Sequence, residues 1–430
     1  MTVVFVTFAL LSGLTSLRWS WVAPATSLML YVFVPFVYVR TLDIPFGVHP
    51  GGLVILAAMV AMLALRTREF VLEAISSSAA LLIVTLFAVF AVLLTTTQQP
   101  ANLGLVANTL LVPIVGFGLV RHALRDADTA RTLRIVILSL AAVQSGVVLA
   151  VAFAGMPQPY DAALRTYGWY SDDYGRAMGT IEHPLQLVVL FTIATPMLLG
   201  LRSAVLRLSL GTLFLVATVL TESRSGLLLV IVAFAVVFLR AAPSPWVRMA
   251  SVLIAVGVVG FIIGSDATET VLAKFSDDGG SANARLLGLD WFSANLPHFL
   301  VTGAGAGASF VLKTTAASLE NPVAMYSVDF GALPSLLYFA AMIEVLVARP
   351  GTERLVDGAR LGAALTLVHV MTFSSIANLG PAAPLLWMSL GLAAAPLTMR
   401  ATAAGGIEPE PRSAAPVNTR ASSGRPGTLV

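Results

Sequence analysis

Between Glu73 and Arg121 the chain carries not one Asp, Glu, Lys or Arg. About 20 apolar residues cross the hydrocarbon of a bilayer, so this interval predicts two helices, broken at the polar, proline-containing turn TTTQQPAN. The same reading along the whole chain places helices near 2–17, 21–39, 50–65, 75–95, 103–120, 134–155, 183–201, 204–221, 226–239, 248–264, 331–348, 360–376 and 381–399. The first and third are short, which gives twelve or thirteen. The opening stretch Val3–Leu17 has no basic leader and no small-residue cleavage site, so it is expected to stay in the protein.

Composition sharpens the pattern into a class. The 430 residues are 57% hydrophobic and only 11% charged, against about 25% charged in a soluble domain. The expected fold is all-α, a polytopic transmembrane bundle of about 12–13 helices with a long, partly helical extracytoplasmic segment. The absence of cysteine excludes disulfides and thiolate chemistry. After Met399 the chain turns to Pro, Ala, Ser, Gly and Arg without periodicity, which predicts a disordered cytoplasmic tail over 401–430 beyond a membrane domain of residues 1–400.

Charge then sets an orientation. Under strict alternation of helices, the connections at Arg66 and Arg68, Arg121 to Arg134, Arg202 and Arg207, Arg240 and Arg248, and Arg349 to Arg360 fall on one face, with Arg18 and the tail. That face holds 18 of the 25 basic residues and is expected to be cytoplasmic by the positive-inside rule. The opposite face carries a loop at 156–182, the Ser223-Arg224-Ser225 turn and a long segment at 265–330. Its seven basic residues (Arg40, Arg165, Arg176, Arg224, Lys274, Arg285 and Lys313) run against the usual bias and suggest an anionic ligand there.

Three external segments could carry chemistry. In YDAALRTYGWYSDDYGRAMGTIEHP, Tyr160, Tyr167, Tyr170 and Tyr174 lie within fifteen residues, with Trp169, Arg165, Arg176 and the pair Asp172 and Asp173 among them. Aromatic faces stack on sugar rings and arginine forks grip phosphate or carboxylate; the alternative is an aromatic belt anchoring the loop at the interface. In SANARLLGLDWFSANLPHFLVTGAGAGASF, Ala284 to Asn295 can form an amphipathic helix along the membrane with Arg285 on its polar side. The glycines at 303, 305 and 307 leave amides that could bind an anion, or form a flexible hairpin. In SLENPVAMYSVDFGALPSLLYF, Glu320 and Asp329 sit near the outer boundary, where a carboxylate could act as general base toward a hydroxyl or pair with an external arginine. Arg224 alone would read as an interfacial arginine neutralised by Glu222; with Arg176 and Arg285 on the same face it suggests a cationic pocket. The DAD at 126–128 falls in a cytoplasmic loop. His183 stands before Pro184 at a helix start, in a positioning role or a local hydrogen bond. His49, His122, His298 and His369 are scattered, so the sequence shows neither a metal cluster nor a serine–histidine pairing.

The order GRAMGTIEHPLQLVVLFTIATP, TESRSG, ARLLGLDWFSANLPHFLVTGAGAGASF and ENPVAMYSVDFGALPSLLYF resembles the O-antigen ligase and O-antigen polymerase superfamily over roughly 165–345. The resemblance implies a bacterial inner-membrane glycosyltransferase, working without metal or other cofactor at the outer face. Such an enzyme passes a glycan from a polyprenyl diphosphate carrier to an acceptor hydroxyl on a glycan or glycolipid. It implies that Arg176, Arg224 and Arg285 hold the diphosphate and that Glu320 activates the acceptor. Tyr167, Trp169, Tyr170 and Tyr174 would hold sugar, with Arg165, His183, Ser223 and Asn321 also in contact with substrate. In the ligases a His-Asn pair stands eleven residues before the glycine matching Gly331; here Glu320 and Asn321 occupy that place. That departure favours a polysaccharide polymerase or a glycan transferase with a non-lipopolysaccharide acceptor. Membrane lipids and polysaccharide assembly proteins are the other expected partners, and nucleic acid is not one. A transporter or flippase of an anionic or lipid-linked substrate is the competing reading, and a non-catalytic member of an assembly complex a third.

Overall fold

The computed structural model describes residues 2–39, 47–76, 79–124, 127–167, 170, 175–241, 244–246, 249, 253, 257, 260, 279–311, 319–347 and 354–394. The expected tail, most of the expected helix 248–264, and Arg40, Asp126, Trp169, Asp172, Asp173, Tyr174, Arg248, Lys274 and Lys313 lie outside the described residues. Among the described residues every regular element is a helix or helical turn.

The apolar runs become helices close to where they are read, and three departures have local causes. The first is a break in the run 21–39, which divides into α2 (Val22–Phe33), after α1 (Thr2–Ser16), and the single turn α3 (Phe36–Val39). Pro35 drives its predecessor out of the helical region, and Val34 accordingly sits at φ −112°, ψ 103°. The second is an extension: α4 (Pro50–Ser76) runs past the charged cluster that begins at Arg66, and α5 (Ala79–Gln98) follows. Arg, Glu and Leu are good helix formers, so the charges end the apolar run without ending the helix. The third departure is the way residues 100–123 wind. A 3₁₀ turn, α6 (Leu103–Val106), a π turn over Ala107–Leu111 and α7 (Val112–Ala123) follow one another. Pro113 has no N–H to give the Thr109 carbonyl, and the helix widens there.

Next come α8 (Ala127–Phe153), the short α9 (Asp161–Leu164), α10 (Pro184–Met197) with a 3₁₀ turn at Leu198–Gly200, α11 (Ala204–Leu220) and α12 (Arg224–Ala241). Beyond them lie α13 (Gly279–Asn295), the turn α14 (Ala308–Val311), α15 (Pro322–Phe330), α16 (Ala332–Val347), α17 (Arg354–Val370) and α18 (Ala382–Ala393). Among the described residues, four stretches are long and apolar enough to cross a membrane: Ala80–Gln98, Pro100–Ala123, Asp128–Phe153 and Arg224–Ala241. The remaining apolar helices are shorter.

The core is built on α10 and α18, both buried on all sides. α10 packs on α8, α12, α17 and α18, and α18 packs also on α7. A helix that is apolar all round has no wet face and goes to the middle of the bundle. At one end of the bundle, guanidinium groups close carbonyls left open by helix termini. Arg134 Nη1 donates to the Gly200 carbonyl (2.9 Å) and Arg207 Nη1 to that of Ala241 (2.8 Å). Since Gly200 and Ala241 end the helices that His183 and Arg224 begin, those two residues lie at the other end.

Candidate functional site

At that other end, residues far apart in sequence converge. Arg285, on α13, donates from Nε to Glu320 Oε2 at 2.6 Å, across 35 positions. Glu320 immediately precedes the cap of α15. That cap is Asn321, whose Oδ1 accepts from the amides of Val323 (2.9 Å) and Ala324 (3.3 Å) while its Nδ2 donates to the Met371 carbonyl (3.1 Å). The amide group of Asn321 is thus spent on the helix start and on the end of α17, which fixes where Glu320 stands.

The pair opens on a cavity of about 220 Å³. Arg285, Glu320, Asn321 and Thr372 form its polar part; Leu289, Leu319, Ala324 and Met371 form an apolar wall. Thr372 ties in the fourth element. Its Oγ1 lies 3.1 Å from Ser225 Oγ and donates to the His369 carbonyl at 2.8 Å. Ser225 follows Arg224 at the first turn of α12. A guanidinium at a helix N-terminus works against the helix dipole, which favours an anion there.

The loop that delivers Arg224 is tight. Glu222 takes a left-handed conformation, φ 53°, uncommon for a residue with a Cβ. Its amide still bonds the Val219 carbonyl at 2.9 Å. Ser223 is buried, and its Oγ accepts from the Gly226 amide at 3.3 Å. It caps α12, so the hydroxyl offered to substrate in the sequence reading serves the helix. Arg176 donates from Nε to the Thr221 carbonyl at 2.9 Å, which docks it one turn before Arg224. His183 is the cap of α10: its Nδ1 accepts from the Leu185 amide at 3.2 Å. Burial, and then the charge of Arg176, push its pKa down to about 3. The imidazole is neutral at neutral pH and is committed as an acceptor.

The aromatic loop bonds mainly to itself and to the bundle. Asp161 gathers the Tyr170 hydroxyl (2.7 Å) and Arg165 Nε (2.8 Å). These two bonds, in that order, hold the carboxyl below its usual range. Tyr167 donates to Glu182 Oε2 at 3.1 Å, and the same oxygen accepts the Val37 amide at 2.9 Å. Tyr160 donates to the Phe33 carbonyl at 2.6 Å. No described residue of this loop lines the cavity.

The glycine run has an occupant that sequence did not disclose. The Gly307 amide donates to Asp329 Oδ2 (3.1 Å) and the Ser309 amide to Oδ1 (2.8 Å). Ala304 and Gly305 donate to the carbonyls of Val328 and Asp329, both at 2.9 Å, and Ala306 to Thr95 Oγ1 at 3.2 Å. The anion in this nest is the chain's own buried Asp329. Neither an external anion nor a loose hairpin describes it, and Asp329 does not face the cavity as a base.

Sequence reasoning also passed over Glu182, Thr372 and the approach of Ser225 Oγ to His369 Nδ1 (3.4 Å), whose Nε2 lies 3.1 Å from the Leu185 carbonyl. Ser225 and His369 stand 144 positions apart, so no local spacing signals them. Glu182 did carry a signal: a lone carboxylate between apolar runs, which must find partners when buried. Comparison with protein-family models, with curated proteins and with solved structures finds no match to this chain.

Proposed function

We propose that the chain is a polytopic membrane glycosyltransferase of the O-antigen ligase and polymerase type. It takes a glycan from a polyprenyl diphosphate at the outer face and passes it to an acceptor hydroxyl, as a polysaccharide polymerase. One observation carries the proposal: Arg285 and Glu320 meet at 2.6 Å on the rim of a half-apolar cavity. Thr372, in the same lining, lies 3.1 Å from the Oγ of Ser225, the residue that follows Arg224. An amphiphile with a charged head suits such a lining. Guanidinium groups stay charged and bind phosphate in a fork, and they stabilise the charge that develops as the diphosphate departs. Glu320 takes the acceptor proton, and the diphosphate leaves with the electrons of the broken sugar–oxygen bond.

The test is lipid-linked glycan analysis in a deletion strain complemented with wild type, Arg224→Ala, Arg285→Ala or Glu320→Gln. Each variant should accumulate in the membrane as folded protein yet lose product formation by ~10²-fold or more, the usual loss on removing a general base or an electrostatic stabiliser. Single repeat units accumulating on the carrier would identify a polymerase, and long chains a ligase. A profile unchanged by deletion would refute the proposal.

A further inference from the structure

We infer that Glu320 and Arg285 form an exchangeable pair. The incoming diphosphate takes Arg285 from Glu320, and this exchange opens Oε2 to the acceptor hydroxyl. The inference rests on the proposed reaction and adds an order of events to it: donor before acceptor.

Geometry supplies the resting half. Glu320 Oε2 is held by Arg285 Nε at 2.6 Å, so one of the two carboxylate oxygens is already bonded. The same nitrogen is one of the donors a phosphate fork requires. One guanidinium edge therefore has two claimants on the rim of one cavity.

Magnitude decides that the pair yields. The side chains are 46% and 35% exposed, and ion pairs of that exposure contribute little to stability. A diphosphate carries more charge than a carboxylate and can take two donors of the guanidinium fork at once, so it outcompetes Glu320. Glu320 cannot follow its backbone away, because Asn321 is pinned to Val323, Ala324 and Met371. Its side chain turns instead, repelled by the phosphates, and remains at the cavity rim. There the acceptor O–H gives its proton to Glu320 and its oxygen bonds the sugar carbon. The carbon–oxygen bond to diphosphate breaks with its electron pair, and Glu320 returns the proton to water. Without donor, Oε2 stays bonded to Arg285.

The experiment is titration of full-length protein in detergent with farnesyl diphosphate, in a double-mutant cycle over Glu320→Gln and Arg285→Ala. Removing the internal competitor should tighten binding about tenfold when Arg285 is present, and by no more than about twofold when it is Ala. Glu320→Asp keeps the charge but falls short of Nε, and should tighten binding as Glu320→Gln does. It decides the matter where Arg285→Ala binds too weakly to titrate. Equal gains in both Arg285 backgrounds, or a Glu320→Asp protein that binds like wild type, would mean that Glu320 acts only through its charge and would overturn the exchange. No gain from Glu320→Gln would also overturn it; the proposed reaction would survive if Arg224→Ala and Arg285→Ala still lost the ligand. Absence of binding to wild type and Glu320→Gln alike would sink both.

Discussion

His183 shows how the sequence can place a side chain and its local hydrogen bond without showing its surroundings. Its position before Pro184 marks a helix start, and the structure makes it the cap of α10. What the sequence hides is the burial that holds the ring neutral, with a pKa near 3. The sign follows from linkage. The unfolded chain binds a proton near pH 6.5 and the folded chain does not, so this residue withdraws stability as pH falls from about 6.5 toward 3. The slope is about 1.4 kcal/mol per pH unit for the one proton. Asparagine accepts the same Leu185 amide without titrating. His183→Asn should match wild type at pH 7.5 and lose apparent thermal stability less steeply below pH 6.5, read by melting in detergent across pH. Parallel pH profiles for the two proteins would show that His183 is protonated in the folded state.

Among the elements, α15 is the one sequence placed least well. Pro322–Phe330 reads as the end of an external segment, yet it is a buried helix, its Tyr326 and Phe330 packed against Phe87 of α5. It stops at Gly331, φ 103°, where a Cβ would clash with the Val301 carbonyl oxygen. That boundary was legible, since a glycine followed three residues later by Pro334 is a helix stop. The Asp329 latch was not, because its amides come from residues 20 and 22 positions away and its neighbouring hydroxyl, Thr95, from another helix. The latch fixes the far end of the helix whose cap, Asn321, directly follows Glu320. Asp329→Asn retains one acceptor oxygen and turns the other into a donor facing an amide. It should destabilise the protein by about 1–3 kcal/mol, measured as a lower melting temperature. Asp329→Ala should cost more. Activity surviving at low temperature in Asp329→Asn would fit a structural carboxylate; total loss with an unchanged melting temperature would contradict that role.

For the whole molecule, helix positions were readable because each apolar run is a local property, and a run of that length must be helical in lipid. The site was readable only in its parts. Arg224, Arg285 and Glu320 stood out as charges where the chain has few, but which of them touch depends on α12, α13, α15 and α17 meeting at one end. The bundle also separates its charges by end. Arg134 and Arg207 close carbonyls at the end away from Arg224. The positive-inside reading assigns that first end to the cytoplasm, so the cavity should open outside. The chain has no cysteine, and single cysteines therefore report position without background. Asp290 and Arg202 are exposed, the first on α13 and the second in the connection after Gly200. Asp290→Cys should react with a membrane-impermeant maleimide in intact cells, whereas Arg202→Cys should react only after lysis. The reverse pattern would put the cavity beside the cytosol, where a glycan carried on the outer leaflet cannot reach it.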